Sequence, residues 1–296
     1  LRPIDVQFVP PSRGAPRGTA RGALGRPVSE TGDMRALYTA ASGMLAQETN
    51  VEIISNNVAN LRTTGFKRQR VHFQDLLYEQ LRRPGAPTSE QNTQVPAGVS
   101  IGSGVKTVAT PRLMAQGNLT QTEKEFDIGI RGEGFFRIAM PDGRTGYTRD
   151  GSFELDGEGR LVTQDGYLLD PNITIPAEAR QVSISATGIV SASVAGQAQP
   201  QQFGQITLAR FVNKTGLESI GDNLFVETAA SGPALEGNAG SEDFGNLQQG
   251  YLEEANVNAV VEISSLIQAQ RAYEMNSRVI SAADQMLQAA AQIFRG

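Results

Sequence analysis

The sequence predicts an α+β chain: N- and C-terminal helices paired as a coiled-coil-like stalk, with a β-rich antiparallel central module. Three observations predict it. Apolar residues recur every seven positions near both ends, Pro is missing from those same stretches, and Asp-Gly pairs with short apolar runs crowd the middle.

The first helix is expected over residues 35–61. Leu37, Met44, Val51 and Val58 are seven apart, with Ala40, Gln47, Ile54 and Leu61 on the companion positions. Thr63-Thr64-Gly65 should stop it, because Gly65 can take the left-handed conformation at a helix end. Residues 1–33 differ from everything after them. They carry Arg2, Arg13, Arg17, Arg21 and Arg26 among Pro and Gly, without apolar periodicity. A disordered tail, or a stretch upstream of a true start at Met34, is expected there.

Residues 67–125 read as an extended linker. An apolar-rich run at 71–81 precedes a polar Pro/Gly/Ser/Thr/Gln stretch at 84–104 and an extended run at 105–109. Residues 126–230 read as the β-rich domain. Asp142-Gly143, Asp150-Gly151, Asp156-Gly157 and Asp165-Gly166 suit type I′ hairpin turns, whose central residues need positive φ. Strands are expected at 135–140, 160–163, 182–185, 205–212 and 224–227, in an antiparallel sandwich or small barrel. Residues 231–251 read as a return linker.

The last helix is expected over 253–294. Leu252, Ala259, Leu266, Tyr273, Ile280, Leu287 and Phe294 form a seven-residue ladder, and Ile263, Ile267, Val279, Met286 and Ile293 widen it. An apolar stripe must be covered. Two stripes at opposite ends most simply cover each other, making 34–66 with 252–296 one axial domain.

The composition argues against chemistry. There is no Cys, hence no disulfide or thiol nucleophile, and a single His, His72, with Asp75 nearby but no nucleophile elbow. A net charge of −5 gives nucleic acid no overall attraction. Gly102, Gly104, Gly132 and Gly134 complete no phosphate-binding fingerprint and read as turns or strand bends. The run from Asp156 to Gly159 lacks calcium-loop spacing. Arg62, Lys67, Arg68 and Arg70 read as a solvated or interface face, and Asn213-Lys214-Thr215 as a chance sequon. No catalytic, cofactor or metal residue is assigned, and no enzyme activity is expected.

The residues flanking this pattern resemble a known family. Leu37-Tyr38-Thr39-Ala40-Ala41-Ser42-Gly43-Met44, Ser55-Asn56-Asn57-Val58-Ala59-Asn60 and Thr63-Thr64-Gly65-Phe66-Lys67 are similar to the N-terminal signature of bacterial flagellar rod and hook proteins. Glu254-Ala255-Asn256-Val257-Asn258, Gln270-Arg271-Ala272-Tyr273-Glu274 and Asp284-Gln285-Met286-Leu287 resemble their C-terminal signature. Gly132-Glu133-Gly134-Phe135-Phe136 and the run from Tyr147 to Phe153 resemble their middle, and the stretch 84–98 resembles the distal rod branch rather than the hook.

The resemblance implies a subunit exported by the flagellar type III apparatus. It would polymerise with itself into a hollow helical drive shaft from periplasm to outer membrane. It would meet proximal rod proteins, the hook protein and the P-ring and L-ring proteins, with residues 67–125 holding a rod-specific segment. The expected assembly interface is Leu37, Met44, Val51, Ile54, Val58, Leu61, Ile263, Leu266, Tyr273, Ile280, Leu287 and Phe294. The helix-exit motif is Asn56, Asn57, Asn60, Thr64, Gly65 and Phe66. Isolated helices are marginal in water, so the ends are expected to order on assembly.

Overall fold

The structure, a computed structural model, describes residues 28–85, 96–194 and 199–293. Phe294, expected in the interface, lies outside them, as does most of the expected rod-specific stretch at 84–98.

Helix α1 spans Val28–Ala59 and begins seven residues before the expected start. No Pro lies between Val28 and Ala59, so nothing in the backbone chemistry stops the helix at Arg35. Residues 28–33 thus belong to the helix rather than to a tail. Helix α2 spans Ala259–Ile293 and begins six residues later than expected. Glu253 and Leu252 lie instead in the strand Tyr251–Glu253, paired with Leu119–Gln121. Asn258 sets the true start: its side-chain oxygen accepts from the Val260 and Val261 N–H groups at 3.0 and 3.2 Å.

The two helices pack against each other as expected, and they run antiparallel. The stripes do not simply cover each other, however. The buried residues on α2 are Glu262, Ala269 and Ala283, a series of short or polar side chains in heptad spacing. A Cβ on Gly43 of α1 would lie 2.8 Å from the Asn276 amide, which fixes how closely the helices approach. Ala40 and Ile54 are buried on α1, whereas Leu37, Met44, Val51 and Val58 are half-buried.

After α1 the chain forms an antiparallel ribbon rather than a bare linker. His72–Asp75 pairs with Val105–Ala109, and Tyr78–Arg82 pairs with Val99–Gly102. The ribbon lies along α1. Arg35 pairs with Glu79 at 2.8 Å, and the Ser42 hydroxyl accepts from the Val105 N–H at 3.3 Å. His72 stands exposed on this ribbon.

The β module is antiparallel throughout. Its largest sheet runs Glu218–Gly221, Leu224–Val226, Thr145–Thr148, Phe135–Ala139, Leu168–Asp170, Leu161–Val162, Glu154–Leu155, with Thr207–Arg210 bridging Phe135–Ala139 to Leu235–Asn238. A second sheet holds Ala179–Ile184, Ile189–Val194 and Gln201–Gln205. Between them lies a core that includes Phe136, Phe153, Leu161, Leu169, Val190, Ile206 and Leu208. The expected strand at 205–212 is two strands, broken at Ile206. The expected return linker at 231–251 contains Leu235–Asn238 and Asn246–Gln249, the latter paired with Ile128–Arg131.

The Asp-Gly turns are not type I′. At Asp142-Gly143 and Asp165-Gly166 the Gly alone has positive φ, 80° and 84°. Each loop closes with two backbone hydrogen bonds, as in a type I turn followed by a left-handed Gly. Asp156 opens a similar loop whose left-handed residue is Gly159 rather than Gly157. Gly151 lies outside any hairpin, since the strands on either side of it pair elsewhere, and its missing side chain lets the backbone approach the Ile128 carbonyl. Consecutive positive φ values occur instead at Gly221, Asp222 and Asn223, at 103°, 50° and 57°, just before Leu224.

Candidate assembly interface

The helix pair presents its larger apolar side chains outward. Val260 is 74% exposed, Met275 60%, Met286 55% and Ile293 79%, with Tyr38 and Leu45 exposed on α1. The reason is the seam. Ala269, Asn276 and Ala283 face α1, so bulky residues one position along the ladder are turned to its edge or away from it. Of the expected interface residues, Ile54 is buried in the hairpin. Leu37, Met44, Val51, Val58, Leu61, Leu266, Ile280 and Leu287 are half-buried, and Ile263 and Tyr273 are exposed. The ribbon adds Leu77, 88% exposed, with Tyr78, Leu81 and Val108.

The helix-exit motif does different work. Asn57 is buried and joins three segments. Its amide oxygen accepts from the Gln69 N–H at 2.9 Å, while its amide nitrogen donates to the Gln69 carbonyl at 2.9 Å and to Glu262 at 3.3 Å. Asn60 donates to the Asn56 carbonyl at 2.9 Å and accepts from the Thr63 hydroxyl at 3.1 Å, closing the helix end. The Thr64 carbonyl accepts from Asn223 at 3.1 Å, and Phe66 is buried. Gly65, at φ 68°, sits where a Cβ would lie 2.7 Å from the Asp150 nitrogen, so the position needs both its left-handed backbone and its missing side chain.

Beneath this motif lies a buried ionic cluster, one member of which, Lys67, was expected on a solvated or interface face. Lys67 is fully buried, not solvated, and its ammonium donates to Glu253, also fully buried, and to the Ala115 carbonyl at 2.9 Å. Arg149 donates to the other Glu253 oxygen at 3.2 Å and to the Gly132 carbonyl at 2.8 Å. Burial pushes the Lys67 ammonium below its ordinary value, although Glu253 opposes the shift. Arg68 pairs with Glu262 at 3.3 Å, while Arg62 and Arg70 stay exposed. Nothing in the sequence neighbourhood of Lys67 announces burial, because its counterion stands 186 residues away.

No group of His, Asp and Glu among the described residues could hold a metal ion, and no described helix is long and apolar enough to cross a membrane.

Three family descriptions match the chain. "Flagella basal body rod protein" covers residues 37–67, "Flagellar hook protein FlgE/F/G D1 domain" covers 129–192, and "Flagellar basal body rod FlgEFG protein C-terminal" covers 248–293. Among relatives, the flagellar basal-body rod protein FlgG of Caulobacter vibrioides is 55% identical over 260 residues, covering 88% of this chain and 99% of the relative. FlgG of Bacillus subtilis is 38% identical, covering 86% and 97%. FlgF of Caulobacter vibrioides is 33% identical, covering 83% and 91%.

Proposed function

Because the chain belongs to the flagellar basal-body rod protein family, within which it is FlgG-like, we propose that it is the subunit of the distal rod. In this reading it polymerises with copies of itself into a hollow helical shaft that transmits torque from motor to hook. The family is structural rather than enzymatic.

The observation that carries the assembly reading is the outward apolar face of the helix pair. Fully burying an exposed Met, Ile or Val side chain contributes about 1.5–3 kcal/mol, and the several partly exposed ones along α2 each contribute a share of that. A second copy covers them without a new fold, and a helix with apolar residues on its outer face fits the wall of a tube. Leu266, Tyr273, Ile280 and Leu287 then sit at the edge between the inner seam and the neighbour. The β module forms the outer wall, and the ribbon of residues 72–82 and 99–109 lies between module and tube. In the free subunit the helices are loosely held and gain order as copies add at the growing tip.

This placement brings further partners: proximal rod proteins below, the hook protein above, the P-ring and L-ring proteins around, and the type III export apparatus as the route out. The distal position is favoured by the 55% identity and nearly full coverage of a FlgG relative, against 33% for FlgF. A hook or proximal rod component is the second reading, favoured by the match to a domain named for the hook protein as well.

Electron microscopy of basal bodies from cells lacking this chain tests the placement. The distal reading expects a rod that stops short within the cell-wall rings and no hook. A full-length rod without a hook supports the hook reading instead. Leu266→Asp is expected to abolish motility, and motility at the normal level counts against the assigned interface.

A further inference from the structure

The ionic cluster beneath the helix pair has a geometry that ordinary core stability does not require. Glu253 accepts from Lys67, from the Gly117 N–H at 2.8 Å and from Arg149, while its backbone carbonyl accepts from the Gly65 N–H at 2.7 Å. Gly65 and Lys67 mark the entry, where the chain leaves α1 for the ribbon. Glu253 is where it leaves toward α2. Arg149 is anchored within the module, its guanidinium 5.2 Å from the Phe135 ring. The cluster therefore ties entry to exit, with every member outside the two helices.

We propose that Lys67, Arg149 and Glu253 form a clasp that holds the two helix-bearing segments side by side and sets their pairing register before neighbouring copies cover them. The inference rests on the assembly reading of the helix pair.

The physics is that of tethering. Both helices leave the folded module by short connections, and without a fixed contact at their bases each pivots independently and meets the other less often. A clasp at the base makes them neighbours and raises their effective concentration. Glu253 is the shared member: without its carboxylate, two buried cations lose their counterion. Register then passes upward. Asn57 to Glu262 is the first rung above the clasp, and Gly43 against Asn276 is the rung two heptads farther along both helices. Both rungs set a polar side chain against a specific partner, which disfavours a slipped pairing.

The chain has no Cys, so a disulfide pair can be introduced cleanly. Full-length chain carrying Gly43→Cys and Asn276→Cys is oxidised in dilute solution, where no polymer forms. The closure rate is compared with and without Glu253→Gln, and separately Lys67→Met. Hydrogen exchange of Phe135–Ala139 is followed in parallel. The clasp predicts closure slowed ~tenfold by Glu253→Gln and less by Lys67→Met, with strand protection retained. If Glu253→Gln loses that protection, Lys67→Met decides. Closure at the parent rate in the variant that decides, or loss of strand protection in both variants, overturns the proposal. Because the readout needs no assembly, its failure is separate from a failure of the assembly reading, which the basal bodies test.

Discussion

The β module and the helix pair bury apolar surface in opposite ways. In the module, Phe136, Ile138, Leu161, Ile206 and Leu208 are wholly enclosed, and Phe136 meets Phe153 edge to face at 5.1 Å. In the helix pair, among the described residues, Ala40, Ala46, Ile54, Ala269 and Ala283 are the buried apolar residues, while several larger ones such as Met275 and Met286 are exposed. The difference teaches that one chain solves its burial problem twice. The module solves it internally. The helices hold each other mainly through short side chains and leave large ones such as Met275 and Met286 exposed.

That contrast can be broken or sharpened by substitution. The largest effect is expected in the module: Phe136→Ala should cost about 3–5 kcal/mol and lower the thermal midpoint of the isolated subunit. Ile54→Ala, at the helix seam, should cost about 2 kcal/mol, near the low end for a buried aliphatic residue because the seam is open at its edges. Hydrogen exchange should show that loss confined to α1 and α2. Exchange rising equally in the module would show that the two regions are not separate.

Lys67 offers a pH test at the junction. Its folded-state pKa lies below the ordinary 10.5, chiefly through burial. Between that lowered value and 10.5, the unfolded chain holds a proton that the folded chain has released, so folding stability rises with pH. The slope contributed by Lys67 is at most ~1.4 kcal/mol per pH unit. Urea midpoints of the native chain and Lys67→Met, measured toward pH 10.5, should show the difference moving in favour of the native chain. Movement the other way would contradict the burial of this ammonium.

The smallest effect on the isolated subunit is expected from Met275→Lys, on the outer face: under ~0.5 kcal/mol, as for an ordinary surface change. Yet it should abolish polymerisation, measured by sedimentation. A stability loss comparable to that of Ile54→Ala would show that Met275 is covered within one molecule.

Much of this was legible in the sequence, for identifiable reasons. The seven-residue ladders located both helices, and the Asn56 to Phe66 motif marked the helix exit. A ladder of large residues, however, shows that a stripe exists and not what covers it. The seam is written in Gly43, Ala269, Asn276 and Ala283, whose small or polar side chains carry little apolar signal. The burial of Lys67 depends on Glu253 and Arg149 arriving from distant strands, which local composition cannot encode. The ribbon was read as a linker because nearly all of its residues are exposed, so no buried face marks its strands. Asp-Gly correctly marked hairpins at Asp142 and Asp165, but one left-handed Gly sufficed there.

The central claim is that the outer face of the helix pair is covered by neighbouring copies. Peroxide oxidation of Met275 and Met286 measures it directly, with half-buried Met140 of the β module as an internal reference. In the isolated subunit both should oxidise at the rate of exposed methionine. In purified rods both should be at least ~tenfold slower, as expected when apolar side chains are removed from water. Equal rates for Met275 and Met286 in the subunit and in the rod would contradict the account.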